Sequence, residues 1–126
     1  MTAYPPTSSR TIDAGPRRTQ ISTLLVLTNA PDQASAEQIA HHIVELRVAA
    51  CVNILAPCRS VYRWQGAIEE AAEVPLLIKT TADRYPDLER AIKSMHPYDV
   101  PEIIAMPITA GLPSYLAWVE SESRPG

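Results

Sequence analysis

The stretch HPYDVPEII, at residues 96–104, concentrates side chains that could do chemistry. His96 is a candidate metal ligand, because imidazole is the commonest metal ligand in proteins and suits copper well. Pro97 should stop the preceding helix and Pro101 should set the entry into the next strand, so the residues between them, 98–100, are expected to be extended. The segment is at least a rigid connector between a helix and a strand. One histidine does not complete a metal site, so His96 would need further ligands from elsewhere.

Other side chains with ligand chemistry are more easily explained as structural. His41 and His42 are neighbours in a predicted helix, where they point about 100° apart and cannot easily chelate one ion. Cys51 opens a predicted strand and is expected to be a small buried hydrophobe. Cys58 follows Pro57 and should be more exposed, which would let it bind thiophilic metals. On one strand the two cysteines would lie too far apart to form a disulfide.

Composition excludes several classes of protein. The chain has 126 residues, enough for one domain with a core, and its net charge of −3 argues against general nucleic-acid binding. No apolar run reaches the roughly 18 residues that a membrane span needs. No N-terminal segment resembles the apolar region of a signal peptide. With two cysteines and no disulfide framework, we expect a reduced, cytoplasmic protein without nucleic-acid or membrane partners.

The sequence carries no catalytic signature. Only four glycines occur and none are clustered, so there is no glycine-rich phosphate loop. Neither a Ser-His-Asp nor a Cys-His arrangement stands out, although such arrangements need not show in sequence. We therefore expect that the protein is not an enzyme.

The first 20 residues differ from the rest of the chain. They contain prolines at three positions, several serines and threonines, and almost no aliphatic side chains. Such a segment cannot bury enough apolar surface to offset the entropy of ordering it. We predict that residues 1–20 form a disordered tail and that residues 21–126 form the folded domain.

Hydrophobic periodicity divides the domain into alternating strands and helices. Asp32 or Ser35 should cap the first helix and Asp83 the second, because short oxygen-bearing side chains accept hydrogen bonds from the first turn. The residues Gln65-Gly66 should form a hairpin turn. The predicted elements are a strand at 21–30, a helix at 33–49, a strand interrupted by Pro57 at 51–64, a strand at 67–81, a helix after Asp83 with Leu88, Ile92 and Met95 as its apolar stripe, a strand from Pro101, and a helix at 112–122.

This β-α-β-β-α-β order, followed by a terminal helix, predicts an α+β fold of the ferredoxin-like, split βαβ type with an antiparallel sheet. Two helices cannot cover both faces of the sheet. We expect Ile54, Val61, Leu76 and Ile78 to lie on the uncovered face. Long apolar strands with an open face favour oligomerisation.

Three longer motifs make the domain similar to the CutA family of divalent-cation-tolerance proteins. They are AACVNI at 49–54, SVYRWQGAIEEAAEVPLLIKTT at 60–81 and HPYDVPEIIAMPI at 96–108, with NAPD and GLPSYLAWV in matching positions. The resemblance covers about residues 21–119. It implies a ferredoxin-like subunit in a homotrimer, similar in architecture to the PII signalling proteins. It also implies tolerance of copper and other divalent cations, copper binding in some members, and no established enzymatic activity.

The resemblance also implies which residues line a cleft between subunits. These are Tyr62, Trp64, Lys79, Tyr98 and Glu102, with His96 as the metal ligand and Cu²⁺ as the metal. Lys79, in an otherwise apolar strand, should pair with an acid such as Glu73 or Glu102. Tyr62 and Trp64 share one strand face and would equally suit a hydrophobic wall of the trimer.

Two positions depart from the family pattern and bear on metal binding. Some members carry cysteine where this chain has Thr28, and some carry a second histidine where it has Met95. Threonine is a poor copper ligand, and methionine suits only Cu(I). The leading hypothesis is a non-enzymatic trimer that binds divalent metal. The alternatives are a PII-like sensor whose cleft binds a small metabolite, and a stable trimeric scaffold that anchors another protein.

Overall fold

A computed structural model describes residues 22–126. The predicted tail at 1–20 lies outside the described residues. The elements are β1 (Thr23–Ala30), α1 (Gln33–Glu45), β2 (Cys51–Ile54), β3 (Cys58–Trp64), β4 (Ala67–Thr81), α2 (Tyr85–Met95), β5 (Ile103–Pro107) and α3 (Pro113–Glu122). No helix in this part of the chain is long and apolar enough to cross a membrane.

The strands form an antiparallel sheet in the order β2-β4-β1-β5. This order and the α-helices between the strands confirm the predicted ferredoxin-like α+β fold. β4 has 15 residues, of which only Val74–Thr81 pair with β1. The first half of β4 pairs with β3 instead, from Trp64 opposite Ala67 to Cys58 opposite Glu73. We call this two-stranded extension, residues 58–73, the ribbon.

The ribbon begins where the predicted strand at 51–64 breaks in two. β2 ends at Ile54, and β3 starts after Pro57, which has no N–H to donate to a ladder. At the tip, Gln65 and Gly66 adopt φ of 49° and 83°. Two successive positive φ angles are typical of the tight turn that suits the twist of a hairpin, so the predicted turn is confirmed.

The helix ends show which capping predictions hold. The Asp32 side chain accepts a hydrogen bond from the Ser35 N–H at 2.7 Å and caps α1. α1 ends at Glu45, earlier than predicted, because Arg47 turns the chain with φ of 61°. The predicted Asp83 cap of α2 is wrong: its carboxylate accepts a hydrogen bond from the Thr81 hydroxyl at 2.6 Å, and α2 begins after Arg84 without a side-chain cap.

The core lies between α1 and α2 and one face of the sheet. Ile39, Ile43, Leu88 and Ile92 of the helices pack with Val26, Val74, Leu76 and Ile78 of the strands. The prediction that Ile54, Leu76 and Ile78 lie on the uncovered face is therefore wrong, since Leu76 and Ile78 are fully buried and Ile54 packs against the core. Val61, the fourth predicted residue, is 64% exposed but lies on the ribbon. Because side chains alternate along a strand, Leu77 and Lys79, the neighbours of Leu76 and Ile78, take the other face.

The second face of the sheet still carries apolar side chains. Leu27 lies opposite Leu77 on one side and Ile104 on the other, and Leu25 lies opposite Met106. Ile104 and Met106 are 47% and 42% exposed. The predicted apolar face therefore exists, but most of the residues on it are different ones.

Candidate functional site

A cavity of about 620 Å³ opens between the ribbon and the connector from α2 to β5, residues 96–102. Its walls combine three carboxylates, three aromatic side chains, two valines and one serine. We call it the Tyr98 cleft, and its lining residues are Ser60, Val61, Tyr62, Trp64, Glu73, Tyr98, Asp99, Val100 and Glu102. Four of the five predicted cleft residues, namely Tyr62, Trp64, Tyr98 and Glu102, meet here.

Strand geometry positions the ribbon side of the Tyr98 cleft. Ser60, Tyr62 and Trp64 alternate along β3, so they share a face. The Ser60 hydroxyl donates to one oxygen of Glu73 on β4, and the Tyr98 hydroxyl donates to the other at 3.3 Å. The Glu73 carboxylate thus links the ribbon to the connector and is held in one orientation.

The protonation state of Tyr98 follows from the same contacts. Partial burial of the phenol raises its pKa above 10.0, and the nearby negative charge of Glu73 and the hydrogen bond to it raise the pKa further. The charges of Tyr62 and Asp32 act in the same direction. Tyr98 is therefore a neutral hydrogen-bond donor at physiological pH.

Two side chains of β1 anchor the far end of the connector. The Thr28 hydroxyl donates to the backbone carbonyl of Glu102 at 2.7 Å, and the Asn29 side-chain amide donates to Glu102 Oε1 at 2.9 Å. Thr28 is almost completely buried. Its hydroxyl, at the position where some CutA members have cysteine, thus has a structural partner.

His96 uses both of its ring nitrogens inside the fold. Nε2 lies 2.6 Å from the backbone carbonyl oxygen of Asn29, which can only accept, so Nε2 carries the proton. Nδ1 then has the lone pair that accepts the Tyr98 backbone N–H at 3.2 Å. The residue is only 8% exposed. A metal ion at Nδ1 would have to displace the Tyr98 N–H.

The remaining ligand candidates do not converge. Within residues 22–126, no group of three or more His, Cys, Asp or Glu side chains could hold a metal ion. Met95 packs against the core. Cys51 and Cys58 are both half-buried and form no disulfide, and Cys58 Sγ lies 3.9 Å from the Ser60 hydroxyl.

Lys79 is placed away from the other predicted cleft residues. It lies in the middle of the sheet, opposite Leu25 and Cys51, and its ammonium group donates to the side-chain oxygen of Asn53. It therefore pairs with neither Glu73 nor Glu102.

The structure adds five residues to the predicted lining of the Tyr98 cleft, namely Ser60, Val61, Glu73, Asp99 and Val100. Ser60 could have been found from the sequence, since it is two residues before Tyr62 on one strand. The contact of Glu73 with Tyr98 could not, because it depends on how the connector folds back onto the ribbon.

Comparison with known proteins gives one consistent family. The family model for the CutA1 divalent ion tolerance protein matches residues 24–122. The divalent-cation tolerance protein CutA of Thermus thermophilus is 46% identical over 99 residues, which cover 79% of this chain and 96% of that protein. The corresponding protein of Pectobacterium atrosepticum is 39% identical over 101 residues, which cover 80% of this chain and 92% of the relative.

Solved structures agree with the sequence comparison. CutA1 from Oryza sativa superimposes with a TM-score of 0.80 at 36% identity, over 82% of this chain and 95% of that one. The divalent cation tolerance protein from Thermus thermophilus gives a TM-score of 0.78 at 45% identity, over 79% of this chain and 97% of that one. Fold, motif order and similarity over most of the chain coincide, so this chain belongs to the CutA1 family of divalent ion tolerance proteins.

Proposed function

We propose that this chain supports tolerance of divalent cations as a non-enzymatic homotrimer, with the Tyr98 cleft as its ligand site between subunits. Family membership supports the link to divalent cations. The observation that carries the site assignment is the Tyr98 cleft itself, because it is large and acidic and the Tyr98–Glu73–Ser60 hydrogen bonds link its two walls.

Exposed apolar surface supports the homotrimer. Besides Ile104 and Met106, the ribbon exposes Ile68 by 68%. Clusters of large apolar side chains in water usually mark an interaction surface. Assembly of three subunits through the ribbon and the open sheet face would cover them and would make the Tyr98 cleft a shared one.

Copper, the metal that the resemblance implies, does not fit the described residues of a single subunit. His96 has no free lone pair in this arrangement, and no three ligand side chains converge. A copper site therefore has to combine ligands from more than one subunit. His96 as one of those ligands stays a prediction.

A Cu²⁺ titration of the assembled protein by calorimetry tests this proposal. We expect saturable binding with a whole number of ions per trimer, and the same experiment with Zn²⁺ and Ni²⁺ shows whether binding follows the usual affinity order. A lack of saturable binding for all three cations would contradict the proposal. Identical curves for wild type and His96→Ala would remove His96 from the site.

The Tyr98 cleft also supports a second candidate function, the binding of a small metabolite. Its volume of about 620 Å³ falls within the range of roughly 300–1,000 Å³ that is usual for small-molecule sites. Its mixture of aromatic walls and fixed polar groups is typical of such sites as well. A thermal-shift screen of metabolites tests this function, and a broad panel without a single hit would count against it.

We also propose a cytoplasmic location. The support is that neither Cys51 nor Cys58 forms a disulfide, which fits a reducing compartment. Fractionation of cells that express the tagged full-length chain would test the location, and recovery in an oxidising compartment would contradict it.

A further inference from the structure

We propose that the Tyr98 cleft binds an organic polycation of the aliphatic polyamine class. The inference rests on the proposed function for the premise that this cavity is a ligand site, and it goes further by naming the chemistry of the ligand.

The lining of the Tyr98 cleft is acidic. Glu73, Asp99 and Glu102 contribute three carboxylates, and none of the described lining residues is Lys, Arg or His. The ion pairs within residues 22–126 involve other acids, such as Glu70 with Arg59. Lys93 reaches the connector only at its backbone, where it donates to the Asp99 carbonyl at 3.3 Å. Within one subunit, the lining of the Tyr98 cleft therefore carries excess negative charge that a cationic ligand would balance.

The carboxylates keep capacity to accept further hydrogen bonds. Each oxygen of Glu73 accepts one hydrogen bond, and Glu102 Oε1 accepts one from Asn29. A carboxylate offers about four lone-pair sites, so lone pairs remain on both groups. Hydrogen bonds from charged ammonium groups to these carboxylates would be stronger than hydrogen bonds from neutral donors. The raised pKa of Tyr98, caused partly by the charge of Glu73, indicates the same negative potential.

Aromatic rings supply the second element of recognition. Tyr62, Trp64 and Tyr98 all line the Tyr98 cleft and keep a third to a half of their surface exposed. The faces of Trp and Tyr attract ammonium groups within about 6 Å of the ring centre. Val61 and Val100 add apolar surface against which methylene groups can pack.

The distribution of the acidic side chains around the cavity favours a polyamine over a single metal ion as the ligand. A single ion needs ligands that converge, and no three acidic or ligand side chains in the described part of the chain do so. Carboxylates distributed around a cavity of about 620 Å³ can instead each meet a different ammonium group of one flexible chain. A linear polyamine satisfies this pattern and also presents methylene groups to the aromatic walls.

Calorimetric titration of the full-length protein with spermidine at physiological salt tests the inference. We expect saturable binding that Glu73→Gln weakens by about fivefold or more. Trp64→Leu should weaken it to a similar extent. Glu102→Gln provides a second test if Glu73→Gln disturbs the fold. The matched control is Glu45→Gln, which removes one negative charge from the exposed end of α1 and should leave the affinity unchanged.

Three kinds of outcome would overturn the inference, and they differ in whether the Tyr98 cleft remains a candidate ligand site. If Glu45→Gln weakened spermidine binding as much as Glu73→Gln does, the binding would be only non-specific attraction of a counterion. Displacement of spermidine by Mg²⁺ at matched ionic strength would show the same. No spermidine binding, with Trp64-dependent binding of succinate, would reject the cationic class but keep the Tyr98 cleft as a ligand site. Binding of neither probe would reject the class and count against the cleft as well.

Discussion

The backbone N–H of Tyr98 donates a hydrogen bond to Nδ1 of His96 at 3.2 Å, and the two ring centres lie 4.6 Å apart. The other ring nitrogen of His96 donates to the Asn29 carbonyl on β1. The histidine therefore fixes the start of the connector to the sheet and orients Tyr98 towards Glu73. In this arrangement His96 contributes to the Tyr98 cleft by positioning Tyr98.

Removing the imidazole should destabilise the fold. His96→Ala leaves the Asn29 carbonyl and the Tyr98 N–H without their partner, and an unsatisfied buried group costs about 1–3 kcal/mol. Chemical unfolding measures this loss. The control His41→Ala, on the exposed face of α1, should change stability by less than about 0.5 kcal/mol. Equal stability of both variants would contradict the role given to His96.

The phenol of Tyr98 should ionise later than an ordinary tyrosine. Its pKa is raised in the fold, so its contribution to stability is fully present below about pH 10 and is lost as the pH rises through the folded pKa. The tyrosinate absorbance of wild type minus that of Tyr98→Phe isolates this group among the five tyrosines. Glu73→Gln should lower the pKa of Tyr98, and an unchanged curve would show that Glu73 does not affect it.

The Asp32 cap should make stability depend on pH at the acid end. The hydrogen bond from the Ser35 N–H holds the pKa of Asp32 below 3.8, so the cap contributes above that value and is lost as the pH falls through the folded pKa. Asp32→Ala should lower the melting temperature at neutral pH, with a difference that shrinks in acid. Asp32→Asn, which keeps the acceptor, should retain most of the stability but not this pH dependence. A constant difference across the pH range would be inconsistent with this cap.

Arg47 should hold the C-terminal helix in place. Its guanidinium donates to the backbone carbonyls of Arg124 at 2.7 Å and Ser121 at 3.3 Å, at the end of α3. Arg47→Ala should loosen α3 by about 1 kcal/mol, because both contacts are partly exposed. Hydrogen exchange of the α3 amides measures this effect. Arg47→Lys keeps the charge but not the planar fork, so it should restore only part of the protection. Unchanged hydrogen exchange of the α3 amides in Arg47→Ala would contradict the role given to Arg47.

The sequence predicted the order and type of the elements because periodicity and turn residues are local signals. The hairpin at Gln65-Gly66 and the break at Pro57 are examples. The sequence predicted the wrong face of β4 for Leu76 and Ile78, which are buried, because the buried face depends on which side of the sheet the helices pack. It failed on Asp83 because a competing donor, the Thr81 hydroxyl, lies two residues away.

The sequence and the family resemblance together predicted part of the residue set of the candidate site. Tyr62, Trp64, Tyr98 and Glu102 line one cavity of the single subunit. That this cavity is the cleft between subunits implied by the family resemblance stays a prediction. Lys79 does not join these four residues, because its position in the register puts it opposite Leu25 and Cys51, in the middle of the sheet. The engagement of both nitrogens of His96 could not be predicted, since it depends on contacts with β1 some 67 positions away in the chain.

The shared Tyr98 cleft depends on assembly, and the open sheet face and the ribbon leave large apolar side chains such as Ile68 and Ile104 in water in a lone subunit. Light scattering of the purified full-length protein at about 1 µM measures whether the subunits assemble. We predict a mass three times that of one chain, with no dissociation on dilution from a tenfold higher concentration. A stable particle with the mass of a single chain would contradict the homotrimer and with it the shared clefts.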